Sequence, residues 1–198
     1  MAILEDENLL MRRVGAGDRA AFTQLYHRHR DRVYAFAYRM IGTRSVAEDV
    51  THEAFLVLIE HPDRYNSAQG TVLTFLCAIA RNKLISHLRR QGREVEDEFS
   101  LTRSIATRVD EESDPLSALL EDELAAVVSA AVDDLPALQR EVIVLREFQD
   151  LSYEEIAAVT NADTSVVKAR LHRARQSLTK RLSPYFNARK GGECHELR

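Results

Sequence analysis

A cationic stretch with helical periodicity lies near the carboxyl end of this 198-residue chain. Its positively charged residues are Lys168, Arg170, Arg173, Arg175, Lys180 and Arg181. Its apolar residues recur at the spacing of one buried face: Val167, Leu171, Ala174 and Leu178. No acidic residue lies between Asp163 and Glu193. Guanidinium and ammonium groups on the outer side of such a helix bind phosphates and base edges, so the stretch is predicted to bind DNA.

The residues before this helix predict the element that positions it. Ser152 and Glu155 have the spacing of a capping box, and Asn161 favours the left-handed conformation that ends a helix. Asp163 or Thr164 can cap the helix that follows. A solvated basic face on an ordinary surface helix would carry similar charges. The capping box, the short turn and the missing acids favour a helix-turn-helix whose second helix lies in the major groove.

A second stretch without acidic residues runs from Thr71 to Arg93. Its apolar residues have helical spacing: Leu73, Leu76, Ile79, Ala80, Leu84 and Leu88. Its cations are Arg81, Lys83, Arg89, Arg90 and Arg93. The polar loop RYNSAQG at 64–70 precedes it and contains one aromatic residue, Tyr65. This stretch predicts a second phosphate-binding surface, independent of the first.

The stretch from Arg44 to Glu60 predicts a helix with two sets of apolar residues. The predicted buried stripe is Val46, Val50, Ala54, Val57 and Leu58. Phe55, Leu56 and Ile59 fall outside this stripe and interleave with Glu48, Asp49, His52 and Glu53. An apolar set on a charged face is typical of a surface that binds a protein partner. A helix buried on two sides is the alternative.

Composition limits the classes to which the chain can belong. Hydrophobic residues make up 45% of the chain, enough for packed cores. It has neither an apolar run of about eighteen residues nor a signal-peptide core, so a cytoplasmic protein without membrane insertion is predicted. The net charge of −4 is unevenly distributed, because residues 96–134 carry 2 basic and 12 acidic side chains. We therefore predict an all-α fold of two small helical domains, 1–91 and 116–186, joined by a flexible acidic linker at 92–115 and followed by a tail at 187–198.

Residues that could perform catalysis or bind metal do not form a convincing group. His27 and His29 are two positions apart on a helix and point to different faces. Cys77 lies in an apolar stretch, and Cys194 with His195 offers two metal ligands without partners. The sequence has no phosphate-binding glycine loop and no nucleophile elbow. No catalytic residue, cofactor or metal is predicted, and the chain is not expected to be an enzyme.

Taken in order, these phrases resemble the bacterial RNA polymerase sigma factors of the small, two-domain extracytoplasmic-function type. AFTQLYHRHRDRVYAFAYRMIG, AEDVTHEAFLVL and TFLCAIARNKLISHLRR are similar to the family's second conserved region. LPALQREVIVLREFQDLSYEEIAAV and VVKARLHRARQSL are similar to its fourth region. The resemblance covers about residues 7–90 and 116–183. It implies a factor that binds core polymerase, directs it to the −35 and −10 promoter elements and promotes DNA opening.

The resemblance also implies roles for individual residues. Contact with the clamp helices of the largest polymerase subunit would involve Asp49, His52, Glu53, Phe55 and Leu56. The pocket for the −10 element would be formed by Tyr65, Asn66, Ser67 and Gln69. Backbone contacts during strand opening would come from Arg81, Asn82, Lys83, Arg89 and Arg90. The −35 element would be read by the helix that carries Lys168, Ala169, Arg170, His172, Arg173 and Arg175. The polymerase beta flap and an anti-sigma factor are further implied partners.

Some positions depart from the family pattern. His52 stands where Gln is frequent, Phe75 where Trp is common and Ser86 where Asp is common. In the helix-turn-helix, Asn161, Val166 and Ala169 replace the usual Gly, Thr and Ser. Two alternatives remain at this point. A helix-turn-helix regulator would bind DNA without polymerase, and a helical adaptor would bind no DNA, so that Lys168→Ala with Arg173→Ala would change nothing.

Overall fold

A computed structural model describes residues 6–90 and 117–192, with side chains described at 6–90 and 124–186. Within these ranges the chain forms eight α-helices and no strand, which confirms the predicted all-α class. The first four helices are α1 Glu7–Gly15, α2 Arg19–Ile41, α3 Arg44–Glu60 and α4 Val72–Arg90. The other four are α5 Ser117–Asp133, α6 Ala137–Ile143, α7 Tyr153–Thr160 and α8 Thr164–Gly192. The predicted linker at 92–115 and the residues Cys194 and His195 lie outside the described residues.

Local capping signals fix the helix ends in the first half. The side chain of Asp6 accepts a hydrogen bond from the Asn8 amide at 3.1 Å. That of Asp18 accepts from the Ala20 amide at 2.8 Å. Gly42 ends α2 in the left-handed conformation, with φ at 71°. The two aspartate bonds each satisfy an amide that the first turn of a helix leaves without an internal partner.

Helices α1 to α4 enclose one core, and α2 contacts the other three. Its fully buried members include Leu25, Val33, Phe36, Ala37 and Met40, which follow the helical period along α2. Leu58 of α3 and Leu76 and Leu84 of α4 complete the core. A short 3₁₀ turn at Pro62–Arg64 packs on α1 and α3. This turn holds in place the 64–70 loop, which leads into α4.

The second half packs α8 against α6 and α7. Val167, Leu171 and Ala174 are buried, as predicted, and Leu178 is partly buried. Helix α6 is followed by one π-helical turn, Val144–Phe148. Helix α8 continues into the predicted tail as far as Gly192. Ala188, Arg189 and Lys190 favour helix, and the two glycines that follow do not.

The two halves are packed against each other, which the sequence alone did not indicate. Helix α4 contacts α7, and α2 contacts both α6 and the π-helical turn. No helix in the described ranges is long and apolar enough to cross a membrane.

Candidate nucleic-acid and protein interfaces

The capping box and turn predicted before the cationic helix are present. The Glu155 amide donates to Ser152 Oγ at 3.1 Å, and the Ser152 amide donates to Glu155 Oε2 at 2.9 Å. Asn161 ends α7 in the left-handed conformation, with φ at 51°. The capping box fixes the start of α7, and the left-handed Asn161 turns the chain into α8. The buried Val167, Leu171 and Ala174 then determine which face of α8 reaches the solvent.

That outer face carries the predicted base-reading residues. Lys168, Ala169, His172 and Arg173 are exposed, on the side of α8 opposite the buried Leu171 and Ala174. Among the described residues, His172 and Arg173 have no ion-pair partner. Such a row of donors can reach base edges and phosphates in a major groove.

Two cations of α8, Lys168 and Arg175, contact neighbouring side chains. Arg175 is exposed and donates to Glu147 at 2.8 Å, and this hydrogen bond raises the pKa of the guanidinium. The ammonium of Lys168 lies 5.7 Å from the centre of the Tyr153 ring. Arg170 is partly buried. Lys168 and Arg175 are therefore oriented before any DNA is bound.

The 64–70 loop is anchored through Tyr65. The Tyr65 hydroxyl donates to Asn8 Oδ1 at 3.1 Å and lies 3.4 Å from the carbonyl oxygen of Gly70. Its ring meets Phe75 edge to face at 5.9 Å. Burial raises the pKa of Tyr65, and the charges of Glu7 and Asp6 add to this effect. Tyr65 is therefore a fixed neutral group at the base of the loop.

Gly70 joins this loop to α4 in a conformation that few other residues adopt. Its φ is +147°, and a Cβ atom placed there would lie 2.8 Å from Thr74 Cγ2. Asn66, Ser67 and Gln69 are exposed along the loop. Tyr65, Ser67 and Gln69 line a cleft of about 540 Å³, and Tyr65, Asn66 and Ser67 line another of about 570 Å³. The structure thus brings the four predicted pocket residues together on one loop.

The predicted backbone-binding residues of α4 divide into two groups. Asn82, Arg89 and Arg90 are exposed. Lys83 is partly buried and pairs with Glu53 of α3 at 2.8 Å. Arg81 is 5% exposed, and its Nε donates to Glu141 Oε1 at 2.6 Å. In this arrangement Arg81 is directed into the protein, away from any DNA on the surface.

On α3, the structure supports four of the five predicted surface positions and corrects the fifth. Asp49, His52 and Glu53 are exposed, and Leu56 is 54% exposed. Phe55, predicted to lie on this surface, is 2% exposed.

Phe55 is buried because the apolar stripe of α3 lies one position away from the one predicted. The side chains that are buried along α3 are those of Ala47, Val50, Thr51, Ala54, Phe55 and Leu58. Phe55 meets the ring of Tyr26 edge to face at 4.9 Å. The spacing of these six residues was readable in the sequence, but small Ala47 and polar Thr51 obscured it.

The sequence did not indicate which residues join the halves. Besides Glu141, these include Glu155, whose Oε1 accepts from Thr74 Oγ1 at 2.7 Å. Gln149 Nε2 donates to the carbonyl oxygen of Arg32 at 3.1 Å. Within the described residues, no group of three or more His, Cys, Asp and Glu side chains is placed to hold a metal.

Two family models match the chain, in the order in which the halves occur. Residues 25–94 match sigma-70 region 2, and residues 126–178 match sigma-70 region 4. An RNA polymerase sigma-H factor of Pseudomonas aeruginosa is 31% identical over 195 residues, covering 93% of this chain and 97% of that protein. The extracytoplasmic-function sigma factor SigE of Mycolicibacterium smegmatis is 34% identical over 165 residues, covering 82% of this chain and 63% of that longer protein.

A solved structure shows the same architecture. It is that of the sigma factor RpoE from Bartonella quintana in complex with the anti-sigma factor NepR. The TM-score is 0.64 at 27% identity, with 82% of this chain and 96% of that chain covered.

Proposed function

The chain belongs to the extracytoplasmic-function sigma factors of RNA polymerase, and we propose that it directs core polymerase to promoters through two separate DNA contacts. The observation that carries this proposal is the exposed row Lys168, His172 and Arg173 on α8, combined with a second cationic helix in the other half. A helix-turn-helix alone fits a simple regulator. Its pairing with a region 2 domain fits an initiation factor, which acts by binding while polymerase supplies the catalysis.

The α8 contact is assigned to the −35 element. Lys168, His172 and Arg173 face the base edges, with Ala169 between them on the same face. Arg170 and Arg175 contact the sugar-phosphate backbone, where a positive charge fixes register without reading sequence. Exposure and the shared face support this division of roles.

The contact of the first half is assigned to the −10 element. A base taken out of the duplex stack needs a pocket of polar groups with cations nearby for the phosphates. The loop supplies Tyr65, Asn66, Ser67 and Gln69, and α4 supplies Asn82, Lys83, Arg89 and Arg90. Arg81 joins this set only if the two halves separate, because Glu141 holds it inside.

The exposed side of α3 is assigned to core polymerase. Asp49, His52 and Glu53 surround Leu56, and Ile59 extends the apolar area with 43% exposure. An apolar centre with a charged rim is the usual composition of a protein interface. Its partner on polymerase is the clamp-helix pair of the largest subunit, and the second half contacts the beta flap. Phe55 supports this surface from beneath by packing, and does not contact the partner.

An anti-sigma factor is a further proposed partner, and the cytoplasm, where promoters are transcribed, is the proposed site of action. The support is the likeness to a sigma factor solved with its anti-sigma factor.

Run-off transcription with purified core polymerase tests the proposal. The template is a pool of duplex DNA that carries random promoter-length inserts. We expect defined transcripts only when the protein is added, and recovery of inserts with two shared elements. DNA binding without polymerase and without transcripts would instead indicate a regulator. Neither binding nor transcripts would indicate an adaptor.

A further inference from the structure

Within the described residues, a buried histidine of the first half makes its one polar contact with another helix. His29 of α2 is 4% exposed, and its Nε2 lies 2.9 Å from Glu7 Oε1 of α1. The other ring nitrogen, Nδ1, is buried and has no hydrogen-bond partner among the described residues. Buried polar atoms usually have a partner, so the contact with Glu7 is what orients this ring.

Glu7 receives this contact as a carboxylate. The hydrogen bond from His29 holds the pKa of Glu7 below its ordinary value of 4.5, although burial opposes the shift. An ionised carboxylate can only accept, so Nε2 of His29 carries the proton and donates. The guanidinium of Arg28 lies 3.4 Å from the same oxygen. One oxygen of Glu7 therefore attaches the first turn of α1 to two consecutive residues of α2.

The residue after Glu7 contacts the 64–70 loop. Asn8 Oδ1 accepts a hydrogen bond from the Tyr65 hydroxyl at 3.1 Å. The other acceptor near this hydroxyl, the Gly70 carbonyl, is farther away at 3.4 Å and belongs to the loop itself. Among the described residues, Asn8 is therefore the one outside the loop that orients the Tyr65 hydroxyl.

Packing fixes the middle of α1 more firmly than its start. The buried side chains of α1 are those of Leu10, Met11 and Val14. Residues 7–9, which come before them, are not buried. The first turn is held instead by the bond from His29 to Glu7. Because Glu7 and Asn8 are consecutive, this bond also places Asn8 beside the loop.

We propose that His29, Glu7 and Asn8 are positioning residues of the proposed −10 loop. His29 fixes Glu7, and the adjacent Asn8 holds Tyr65, whose position determines where the polar tip of the 64–70 loop lies. A loop that is already ordered loses less entropy when it captures a base. The three residues therefore favour capture of the separated strand without touching DNA. This consequence rests on the proposed function, whereas the hold of α1 on the loop does not.

Hydrogen exchange in the free, full-length protein tests the hold of α1 on the loop. The reporters are the backbone amides of Ala68 and Gln69, which lie in the exposed part of the loop. They donate to Asn66 Oδ1 and to the Asn66 carbonyl oxygen, at 3.0 and 2.9 Å. Both amides exchange with solvent when this turn opens, so their rates report how firmly the loop is held.

Two variants remove the bond between the helix and the loop from opposite ends. Tyr65→Phe removes the hydroxyl but keeps the ring that meets Phe75, and Asn8→Ala removes the acceptor. Each should speed the exchange of both reporters by roughly twofold to tenfold, the range for one hydrogen bond. The double variant should exchange no faster than the faster single variant, because both changes remove the same bond.

A rescue variant and a control show whether this effect belongs to the bond. Asn8→Asp keeps an acceptor oxygen and should restore slow exchange. Thr23→Ala removes an exposed hydroxyl that bonds within α2, to the Arg19 carbonyl at 2.9 Å. It should exchange like the wild type.

The buried end of this chain of contacts is tested at His29. The side-chain amide of Gln can donate from about the position of Nε2, so His29→Gln should keep slow exchange, whereas His29→Leu should match Asn8→Ala. Glu7→Ala breaks the same contact from the partly exposed side and replaces His29→Leu where that variant does not fold. Thr51→Val is the buried control, because its hydroxyl bonds within α3 to the Ala47 carbonyl. It should exchange like the wild type.

Promoter opening by the holoenzyme tests the consequence for DNA. A fluorescent adenine analogue, placed in the −10 element of a promoter recovered by run-off selection, reports strand separation. Asn8→Ala should slow opening by about the factor by which it speeds exchange, and Asn8→Asp should restore the rate. The affinity of the initial complex with duplex DNA should stay unchanged in both variants, because the −35 contact on α8 is intact. A purely structural defect would weaken both steps.

The outcomes separate this inference from the proposed function. Exchange at the wild-type rate in both Asn8→Ala and Tyr65→Phe would overturn the hold on the loop, whatever polymerase does. Faster exchange with a normal rate of opening, or with weaker initial binding, would overturn the positioning role in strand capture. Faster exchange in a protein that gives no promoter-dependent transcript would confirm the hold on the loop and contradict the initiation-factor assignment.

Discussion

Helices α4 and α8 are both cationic, but each forms an ion pair in a different environment. On α8 the cations are on the solvent side, where Arg175 pairs with Glu147 across an exposed surface. On α4 a central cation, Arg81, is buried against Glu141. The bond lengths are similar, 2.8 and 2.6 Å, so the two pairs differ chiefly in their exposure to water. The exposed cations of α8 can reach DNA, whereas Arg81 of α4 is committed to a contact inside the protein.

Removing the carboxylate from each pair gives the largest expected difference. Glu141→Ala leaves the buried Arg81 guanidinium without this charge partner and should lower the free energy of unfolding by about 3–5 kcal/mol. Glu147→Ala breaks an exposed pair and should change it by less than about 1 kcal/mol. Urea denaturation followed by circular dichroism measures both. Equal effects would show that burial does not distinguish the two pairs.

Truncation of an exposed arginine of α8 should weaken promoter binding. Arg173→Ala on α8 should weaken binding of holoenzyme to a selected duplex promoter by about 1–3 kcal/mol and relax sequence preference at the −35 element. Gln176→Ala, an exposed neighbour on the same helix, is the control. Gel-shift titration at fixed salt gives the affinities. An unchanged promoter preference would remove Arg173 from the reading face.

The sequence predicted the parts of this contrast that depend on nearby residues. The capping box needs only Ser152 and Glu155, three positions apart, and its two bonds form as expected. The exposed face of α8 follows from the spacing of Val167 and Leu171 in the same helix. Such features are fixed by local geometry and so are visible in the sequence.

Features that depend on distant residues were not predicted. Arg81 and Glu141 are 60 positions apart, and each looks like an ordinary surface charge within its own helix. Phe55 was misplaced because α3 has apolar residues at enough positions to allow two neighbouring stripes. In the fold, Phe55 packs against the rings of Tyr26 and Phe22, which α2 contributes.

The start of α4 offers a smaller test of how rigidly the first half presents its loop. Gly70→Ala places a methyl group 2.8 Å from Thr74 Cγ2 at a φ of +147°, so we expect a loss of stability of about 1–3 kcal/mol. Gly17→Ala is the control, since Gly17 also has a positive φ, of +84°, but nothing lies within 4 Å of the new Cβ atom. The loss of stability in Gly17→Ala should be smaller than that in Gly70→Ala. Thermal unfolding compares the two variants, and equal losses would show that the contact with Thr74 carries no strain.

The smallest expected effect is a dependence of the contact between the two halves on pH through Glu155. Burial opposes ionisation of this carboxyl, but the hydrogen bonds from Ser152, Thr74 and Thr71 outweigh it and hold the pKa below its ordinary value of 4.5. A lowered pKa in the folded state means that ionised Glu155 stabilises the contact fully above the unfolded value. This stabilisation is lost as the pH falls through the folded value.

Fluorescence energy transfer measures this contact, with dyes attached at Thr23→Cys on α2 and Gln176→Cys on α8 in a Cys194→Ser background. It should stay constant above pH 5 and fall with further acidification. Asp6, Glu7 and Glu154 line the same cleft and also titrate in the acid range, so the wild type alone does not assign the change to Glu155. Glu155→Gln separates them, because it removes the ionisable group and keeps a side chain that can accept a hydrogen bond from Thr74. A smaller acid-induced change in this variant is expected. An unaltered profile would assign the pH dependence to the other carboxyls, and Glu155 would then join the halves by its hydrogen bonds rather than by its charge.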